Sequence, residues 1–265
     1  MSVSASFSGS VPQNYDTYMG PVMFEPYAVE TARRVPVAKD VLEIAAGTGR
    51  VTAHLAAKLP EGGRLVASDL NNDMLEVARK RISHPGVVFD VADAHALPYK
   101  DGEFDQIICQ YAAMFFKDRI QAFSEFRRVL KPDGTMWMTV WGSMEQNAWV
   151  GAAQESANHF LPEDKKINVL FVPYSYNDEA QIESDLKEAG WKDVAFEWVE
   201  KEFRVESPSE YLKGVFQGSP LTAALADRGV EDMTPMMEMA ERQLIERFGN
   251  PVVTSMWTLY IEAKG

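Results

Sequence analysis

The pattern Glu43-x-Ala45-x-Gly47-x-Gly49 places an acid and three small residues at alternate positions, directly on the apolar run Val41-Leu42-Glu43-Ile44. Small residues let a backbone turn sharply and come close to a ligand. Asp69 closes a second apolar run, Leu65-Val66-Ala67-Ser68, and follows Gly49 by 20 residues. A carboxylate there can accept hydrogen bonds from both hydroxyls of a ribose. Asp93 follows a third run, Val87-Val88-Phe89-Asp90-Val91, where it would border an adenine or cap a loop. Each feature has a plainer reading alone: a tight strand-to-helix turn, a helix cap, a loop cap. In this order and at this separation they describe a nucleoside site. A dinucleotide fingerprint G-x-G-x-x-G starting at Gly47 would need glycine at position 52, which is Thr52, so an NAD-dependent dehydrogenase is the remote alternative. The triphosphate pattern G-x-x-x-x-G-K-[ST] is absent.

Such a site needs a scaffold that brings strand ends together. Strands are expected at 41–44, 64–68, 87–91, 104–109 and 135–141. Between them, helices are expected from 50 to about 58, from a cap at Asn71 or Asn72 to Arg81, and from Asp118 to the Pro132-Asp133-Gly134 stop. Strand–helix alternation at this spacing predicts an α/β fold with a parallel sheet covered on both faces and right-handed crossovers. Ordered structure is expected from about Asn14, through the aromatic stretch Tyr15 to Tyr27 and a helix over 25–34 ended by Pro36. Beyond Trp141 the alternation slackens. Residues 143–176 read as a helix and a loop, 178–189 as an amphipathic helix and 194–199 as a sixth strand. A helical insertion follows, capped at Ser207 with Pro208 first in the helix, broken at 218–220 and at Pro235 and ending at Phe248; 252–263 form a last strand. One domain is expected, with a cofactor core over 14–142 and cap segments at 143–176 and 207–248.

The chain has 265 residues, 46% hydrophobic and 25% charged, a globular composition able to bury a large core. No run approaches the ~18 apolar residues of a membrane span. Residues 1–10 lack a basic region followed by an apolar one, so no secretory leader is expected. Cys109 is the only cysteine; this excludes an internal disulfide and a cysteine-cluster zinc site and fits the cytoplasm. The net charge is −13. Residues 1–142 hold 15 basic and 17 acidic side chains, and residues 143–265 hold 11 and 22. A field of that sign opposes nucleic-acid binding and suits a neutral or cationic small molecule.

Four ordered stretches carry a family resemblance: VLEIAAGTGRVT at 41–52, LVASDLNNDMLEVAR at 65–79, VVFDVADAHALPYKDGEFDQIICQ at 87–110 and FRRVLKPDGTMWMTVW at 126–141. They resemble the class I S-adenosylmethionine-dependent methyltransferases, in particular small-molecule enzymes related to those of quinone biosynthesis. The resemblance covers roughly 14–200. It implies a Rossmann-like, doubly wound sheet of seven mostly parallel strands whose last strand is antiparallel, with helical cap insertions. The cofactor it implies is S-adenosylmethionine. Ala45, Gly47 and Gly49 would meet the methionine part, Asp69 the ribose, Leu70, Met74, Asp93 and Ala94 the adenine, and Glu43 would be a further cofactor-binding residue. Cys109 and Gln110 would line the methyl-transfer site, and Tyr18 and Phe24 would belong to a lid. The family usually has glycine where this chain has Ala45, which would narrow the room for the amino-acid tail.

A sulfonium methyl is already activated, so alignment of the acceptor is the main task and no metal is required. A general base matters only for an acceptor that binds protonated. His159 and Tyr111 are the catalytic candidates, while His54 and His84 read as surface residues and His95 as structural. Tyr18, Tyr111, Phe115, Phe116, Trp141 and Trp149 are expected around the strand ends, with Tyr111, Phe115 and Trp141 as substrate-binding residues; aromatic faces attract a sulfonium or ammonium by ~0.5–2 kcal/mol. The expected partner is a small-molecule acceptor, with no nucleic acid and no membrane span; the assembly expected is a homodimer. A protein methyltransferase and a non-catalytic S-adenosylmethionine-binding module are the alternatives.

Overall fold

A computed structural model describes residues 9–265. Residues 1–8, on which most of the leader reading rests, lie outside the described residues. The chain opens with a one-turn helix α1 (Val11–Asn14), a π-helical segment (Tyr15–Phe24) and α2 (Glu25–Arg34). Then come β1 (Asp40–Ile44), α3 (Arg50–Ala56), β2 (Arg64–Asp69), α4 (Asn72–Arg81), β3 (Val87–Val91), β4 (Phe104–Gln110), α5 (Arg119–Val129) and β5 (Leu130–Trp141). The remainder is α6 (Gly151–His159), α7 (Glu179–Glu188), β6 (Asp193–Val205), α8 (Pro208–Gln217), α9 (Pro220–Ala226), α10 (Thr234–Phe248) and β7 (Val252–Lys264).

The strands form one seven-stranded sheet in the order β3-β2-β1-β4-β5-β7-β6. Pairs among β1 to β5 are parallel, and β7 runs antiparallel to β5 from Thr135↔Lys264 to Trp141↔Thr258. The expected α/β sheet with an antiparallel last strand is the one that forms. Strand order runs one way from β1 to β3 and the other way from β4 to β5. The reversal lies between β1 and β4, and ligands of open α/β sheets bind outside the carboxyl ends of the strands at such a switch point.

Contacts group the chain into two compact units. One holds residues up to Pro26, Gly142–Ser175 and Glu200–Trp257; the other holds Tyr27–Trp141, Tyr176–Val199 and Thr258–Gly265. In the second unit, Ala28, Ala32 and Val35 from and after α2 and Val51, Leu55 and Ala56 of α3 pack with Val41, Leu65 and Ile108 of the central strands. Burying such apolar side chains yields roughly 1.5–3 kcal/mol each, the main force holding the strand ends in place. Side-chain oxygens cap three of the helices: Asn71 accepts from the N–H groups of Asp73 and Met74, Asp118 from Gln121, and Asp178 from Ala180 and Gln181.

Four details differ most from expectation. β5 starts at Leu130, five residues early. Phe104 pairs with Leu130, the register then shifts, and Gln106 pairs with Thr135, so Pro132-Asp133-Gly134 is an irregularity inside the strand and not only the end of a helix. β6 extends to Val205. Ser207 stands at the N-cap position without a side-chain cap bond; its hydroxyl meets that of Ser209 at 3.3 Å. Pro235 lies in the first turn of α10 and opens that helix instead of breaking it.

In the first unit the π-helical segment packs on α8 at two glycines. A Cβ on Gly214 would lie 2.7 Å from Tyr18 Cβ and Met19 Cγ, and one on Gly218 would lie 2.5 Å from the Tyr15 nitrogen. Both expected cap segments, 143–176 and 207–248, fall in this unit, apart from Tyr176, the first segment's last residue. The six aromatics expected around the strand ends divide between the units. Tyr18 and Trp149 lie in the first, where Trp149 stacks on Phe203 at 4.1 Å beside Tyr174 and Tyr211. Tyr111, Phe115, Phe116 and Trp141 lie in the second.

Candidate active site

The bend after β1 is built from left-handed residues. Ala45, Gly47 and Gly49 have φ of 54°, 56° and 77°, so every second residue turns the chain the way glycine allows at no steric cost. Ala46 N–H donates to the Ser68 carbonyl and Gly49 N–H to the Ala46 carbonyl, both near 3 Å. Gly49 also meets a packing limit, because a Cβ there would lie 2.8 Å from Ala78 Cβ and 2.9 Å from Ile82 Cδ1. The bend is therefore pinned between β2 and α4. Thr52, the residue that spoils a dinucleotide fingerprint, is fully buried under it.

Asp69 joins the bend to the end of β2. Its Oδ2 accepts from Gly47 N–H at 2.9 Å and its Oδ1 from Asn71 N–H at 2.8 Å. A carboxylate offers about four lone-pair sites, so two backbone donors leave room for two hydroxyls. Burial pushes the Asp69 carboxyl above its ordinary range, and the two N–H donors oppose the rise. Glu43 is the second acid of the site and is 2% exposed. Its cross-strand neighbours are the apolar Ala67 and Ile108. Burial first, then the nearby Asp69 charge, raise its carboxyl to about 8 against the lowering by the Thr52 hydroxyl and N–H. Its Oε2 is buried without a hydrogen-bond partner among the described residues.

Beyond β2, Leu70 is 52% exposed, an apolar side chain left in the open beside the carboxylate. Met74 reaches back from α4, with its Cε 3.5 Å from where a Gly47 Cβ would stand. Asp93 is held by His95, whose N–H donates to Oδ1 at 2.9 Å and whose ring Nδ1 meets the same oxygen at 2.7 Å. The His95 backbone N–H, then its ring, hold the Asp93 carboxyl below its usual range. His95 also accepts from Asp118 N–H at Nε2, so its role is to tie the β3 loop to the start of α5. Ala94, between them, is half-buried.

At the end of β4, Cys109 is fully buried; burial, then the nearby Glu43, push its thiol up to about 12, so it stays protonated and is no nucleophile. Gln110 turns to α2, its Oε1 accepting from the Thr31 hydroxyl at 2.6 Å. Tyr111 is the second non-glycine residue with positive φ, at 57°. Its hydroxyl meets that of Thr258 at 2.7 Å, and its ring lies flat on Trp141 at 3.9 Å. Tyr27, fully buried, stands edge-on to both. Phe115, half-buried, ends the short helical turn that follows. Ala45 and Tyr111 thus follow β1 and β4, the two strands that flank the switch point.

Three expected site residues lie in the first unit. Phe24 stacks on Tyr15 at 4.7 Å, and Tyr18 lies along α8 with them. His159 is exposed at the end of α6 with its ring against Phe160. Reading by residue type missed Tyr27, Thr31 and Thr258, which hold Tyr111, Trp141 and Gln110. Tyr27 could have been found in its aromatic-rich stretch, whereas no pattern marks Thr31 or Thr258.

Residues 42–138, from β1 into β5, match the family profile of a methyltransferase domain. That stretch of the chain is similar to a methyltransferase domain. The chain is similar to the ubiquinone/menaquinone biosynthesis C-methyltransferase of Pectobacterium atrosepticum, 27% identical over 180 residues that cover 66% of this chain and 63% of that one. The corresponding enzyme of Shewanella piezotolerans is 35% identical over 118 residues, 43% of this chain and 47% of its own. The chain thus spans between about half and just under two thirds of these relatives' length. Among solved structures, phosphoethanolamine N-methyltransferase 2 of Haemonchus contortus, in complex with phosphomonomethylethanolamine and S-adenosylhomocysteine, shares the fold. The TM-score is 0.58 at 18% identity, over 96% of this chain and 56% of that one.

Proposed function

We propose that this protein transfers a methyl group from S-adenosylmethionine to a small-molecule acceptor. The observation that carries the reading is the tie between Asp69 and Gly47: one carboxylate at the end of β2 holds the bend after β1 with hydrogen-bonding capacity to spare. Two further features fit the nucleoside. Leu70 and Met74 offer apolar surface for a base, and the unpartnered Glu43 oxygen offers an acceptor for an ammonium. In this reading Asp69 holds the ribose; Leu70, Met74, Asp93 and Ala94 border the adenine; Ala45, Gly47 and Gly49 admit the amino-acid tail. Cys109 and Gln110 line the approach, Tyr111, Phe115 and Trp141 meet the acceptor, and Tyr18 and Phe24 act as a lid.

The sulfonium supplies an electrophilic methyl carbon, and the chain supplies position. Tyr111 is fixed at its hydroxyl, ring face and backbone, and such fixed groups can orient an acceptor lone pair in line with the S–C bond. Orientation of this kind is worth up to roughly 7–11 kcal/mol. Neither the buried Cys109 thiol nor the exposed His159 is assigned the role of base. The first unit, with 143–176 and 207–248, is proposed to select the acceptor. The lone buried thiol supports a cytoplasmic location, and the acidic surface supports a protein that leaves nucleic acid alone. A homodimer, common in such enzymes, is the assembly to expect by light scattering.

Titration calorimetry with S-adenosylhomocysteine tests the site, and transfer of labelled methyl to an extract tests the activity. We expect binding, and label in small molecules. Label in protein bands would make it a protein methyltransferase, binding without transfer a non-catalytic module, and affinity for NAD alone a dehydrogenase. Asp69→Ala is expected to weaken S-adenosylhomocysteine binding by roughly 1–3 kcal/mol, the range for a lost charge-assisted hydrogen bond. An unchanged dissociation constant removes Asp69 from the ribose.

A further inference from the structure

We propose that Glu43 exchanges its proton for the ammonium of the incoming amino-acid tail, so that the protein takes up S-adenosylmethionine or its demethylated product with release of a proton to solvent. The inference rests on the function proposed above and goes beyond it, because it concerns the charge state in which the site waits. Three observations converge on this one residue.

The first is place. Glu43 is the penultimate residue of β1, two residues before the left-handed Ala45 that opens the bend. Its side chain lies on the face covered by α3, like Val41 two residues before it. The second is satisfaction. Glu43 is almost completely buried, and its Oε2 has no partner among the described residues. An ionised carboxylate left half-satisfied in such a place is costly, and a protonated carboxyl is not. The third is the company it keeps. The groups that act on it are the Thr52 hydroxyl and N–H of α3 and the Asp69 carboxylate of β2, and it acts in turn on the Cys109 thiol of β4, which stays neutral. Across the sheet it meets Ala67 and Ile108. Burial pushes toward the neutral form and the Asp69 charge pushes the same way, raising the carboxyl to about 8.

The two acids of the site therefore divide the work. Asp69 accepts two backbone N–H donors, the arrangement that stabilises an anion. Glu43 carries a proton near neutral pH. When an ammonium arrives next to Glu43 Oε2, the O–H bond of Glu43 breaks, its proton passes to solvent, and carboxylate and ammonium pair without covalent change. Linkage fixes the sign: a ligand that binds the deprotonated form binds more tightly as pH rises toward the carboxyl's own pKa. Affinity is expected to rise up to roughly tenfold per pH unit between about pH 6 and 7, with close to one proton released per site.

Titration calorimetry of the full chain with S-adenosylhomocysteine at about pH 6.5, in buffers that differ in heat of ionisation, counts that proton. The wild type is expected to release close to one proton. Glu43→Gln, which imitates the neutral acid, is expected to bind with release near zero and little dependence on pH. The thioether 5′-methylthioadenosine keeps the nucleoside but has no amino-acid tail, and it is expected to bind the wild type without release. Binding of S-adenosylhomocysteine by the wild type without a proton overturns the inference and leaves the functional reading standing. Equal release by wild type and Glu43→Gln, or by both ligands, overturns it too. Absence of any S-adenosylhomocysteine binding removes the functional reading and this inference together.

Discussion

Ala45 holds a left-handed backbone at φ 54°, which costs an L-residue with a Cβ roughly 1–2 kcal/mol. Glycine would relieve that strain and lose about 0.4–1 kcal/mol to the freedom of the unfolded chain. Ala45→Gly is therefore expected to leave stability unchanged or raise it by up to about 1 kcal/mol, read as the midpoint of urea unfolding; a clear loss would show that the alanine methyl has packing of its own. The strain was only half legible. Alternating small residues announced a bend, but an alanine does not declare its φ, and only the fold shows that it shares the glycines' conformation. Glu43 makes a second residue-scale case. Its carboxyl stands at about 8 in the fold against an ordinary 4.5, so the folded protein binds the extra proton between those values. Its contribution to stability is complete below about pH 4.5 and is lost as pH rises through 8, by on the order of 5 kcal/mol at most. Unfolding by urea at pH 6 and pH 9 should show the wild type losing more stability than Glu43→Gln, which has no proton to lose. Parallel losses in the two proteins would mean that other groups set the alkaline limit.

Elements meet at glycines for two separable reasons, and Gly49 has both. At φ 77° it is left-handed, and a Cβ would collide with Ala78 and Ile82 of α4. Gly62 is left-handed at φ 70°, with nothing within 4 Å of a Cβ. Gly62→Ala should cost the backbone share alone, about 0–1 kcal/mol on the same accounting. Gly49→Ala should add about 1–3 kcal/mol for overpacking and displace α4, the helix that carries Met74. Chemical unfolding of the two variants separates the contributions; equal losses would show that α4 gives way without cost. Most elements of the core were legible because a buried parallel strand is a short apolar run and a helix start declares its capping side chain. β5 was misjudged at its start because Pro132-Asp133-Gly134 has the composition of a turn, and only pairing of Leu130 with Phe104 makes it strand. The outer part of β6, Glu200 to Val205, is charged and alternating on a sheet edge, so it lacked the apolar signal that marks the inner strands.

At the scale of the molecule, charge is the property that sequence states in full and folding only distributes. The formal charge is −13, and residues 143–265 hold 22 of the 39 acidic side chains against 11 basic ones. The division into two units was less legible, because each is assembled from three separated stretches and no linker composition marks where the chain passes between them. Like charges at this density repel in the compact state. Added salt screens that repulsion with a Debye length falling from ~30 Å at 0.01 M to ~8 Å at 0.15 M. Surface ion pairs act the other way, since screening weakens them, but exposed pairs such as Arg247–Glu155 and Lys187–Glu183 contribute only about 0–1 kcal/mol each. The repulsion of the uncompensated acids is expected to dominate. The thermal midpoint should therefore rise as sodium chloride is raised from about 10 to 150 mM, a range too low for general salting-out to matter. Scanning calorimetry checks this, and a midpoint that falls over the same range would mean that paired charges, not the acidic excess, govern the surface. The same field should leave duplex DNA unbound at physiological salt, which fluorescence anisotropy of a labelled duplex would detect. Retention of the duplex, with an affinity that drops steeply as salt is added, would reveal a basic patch that the net charge conceals.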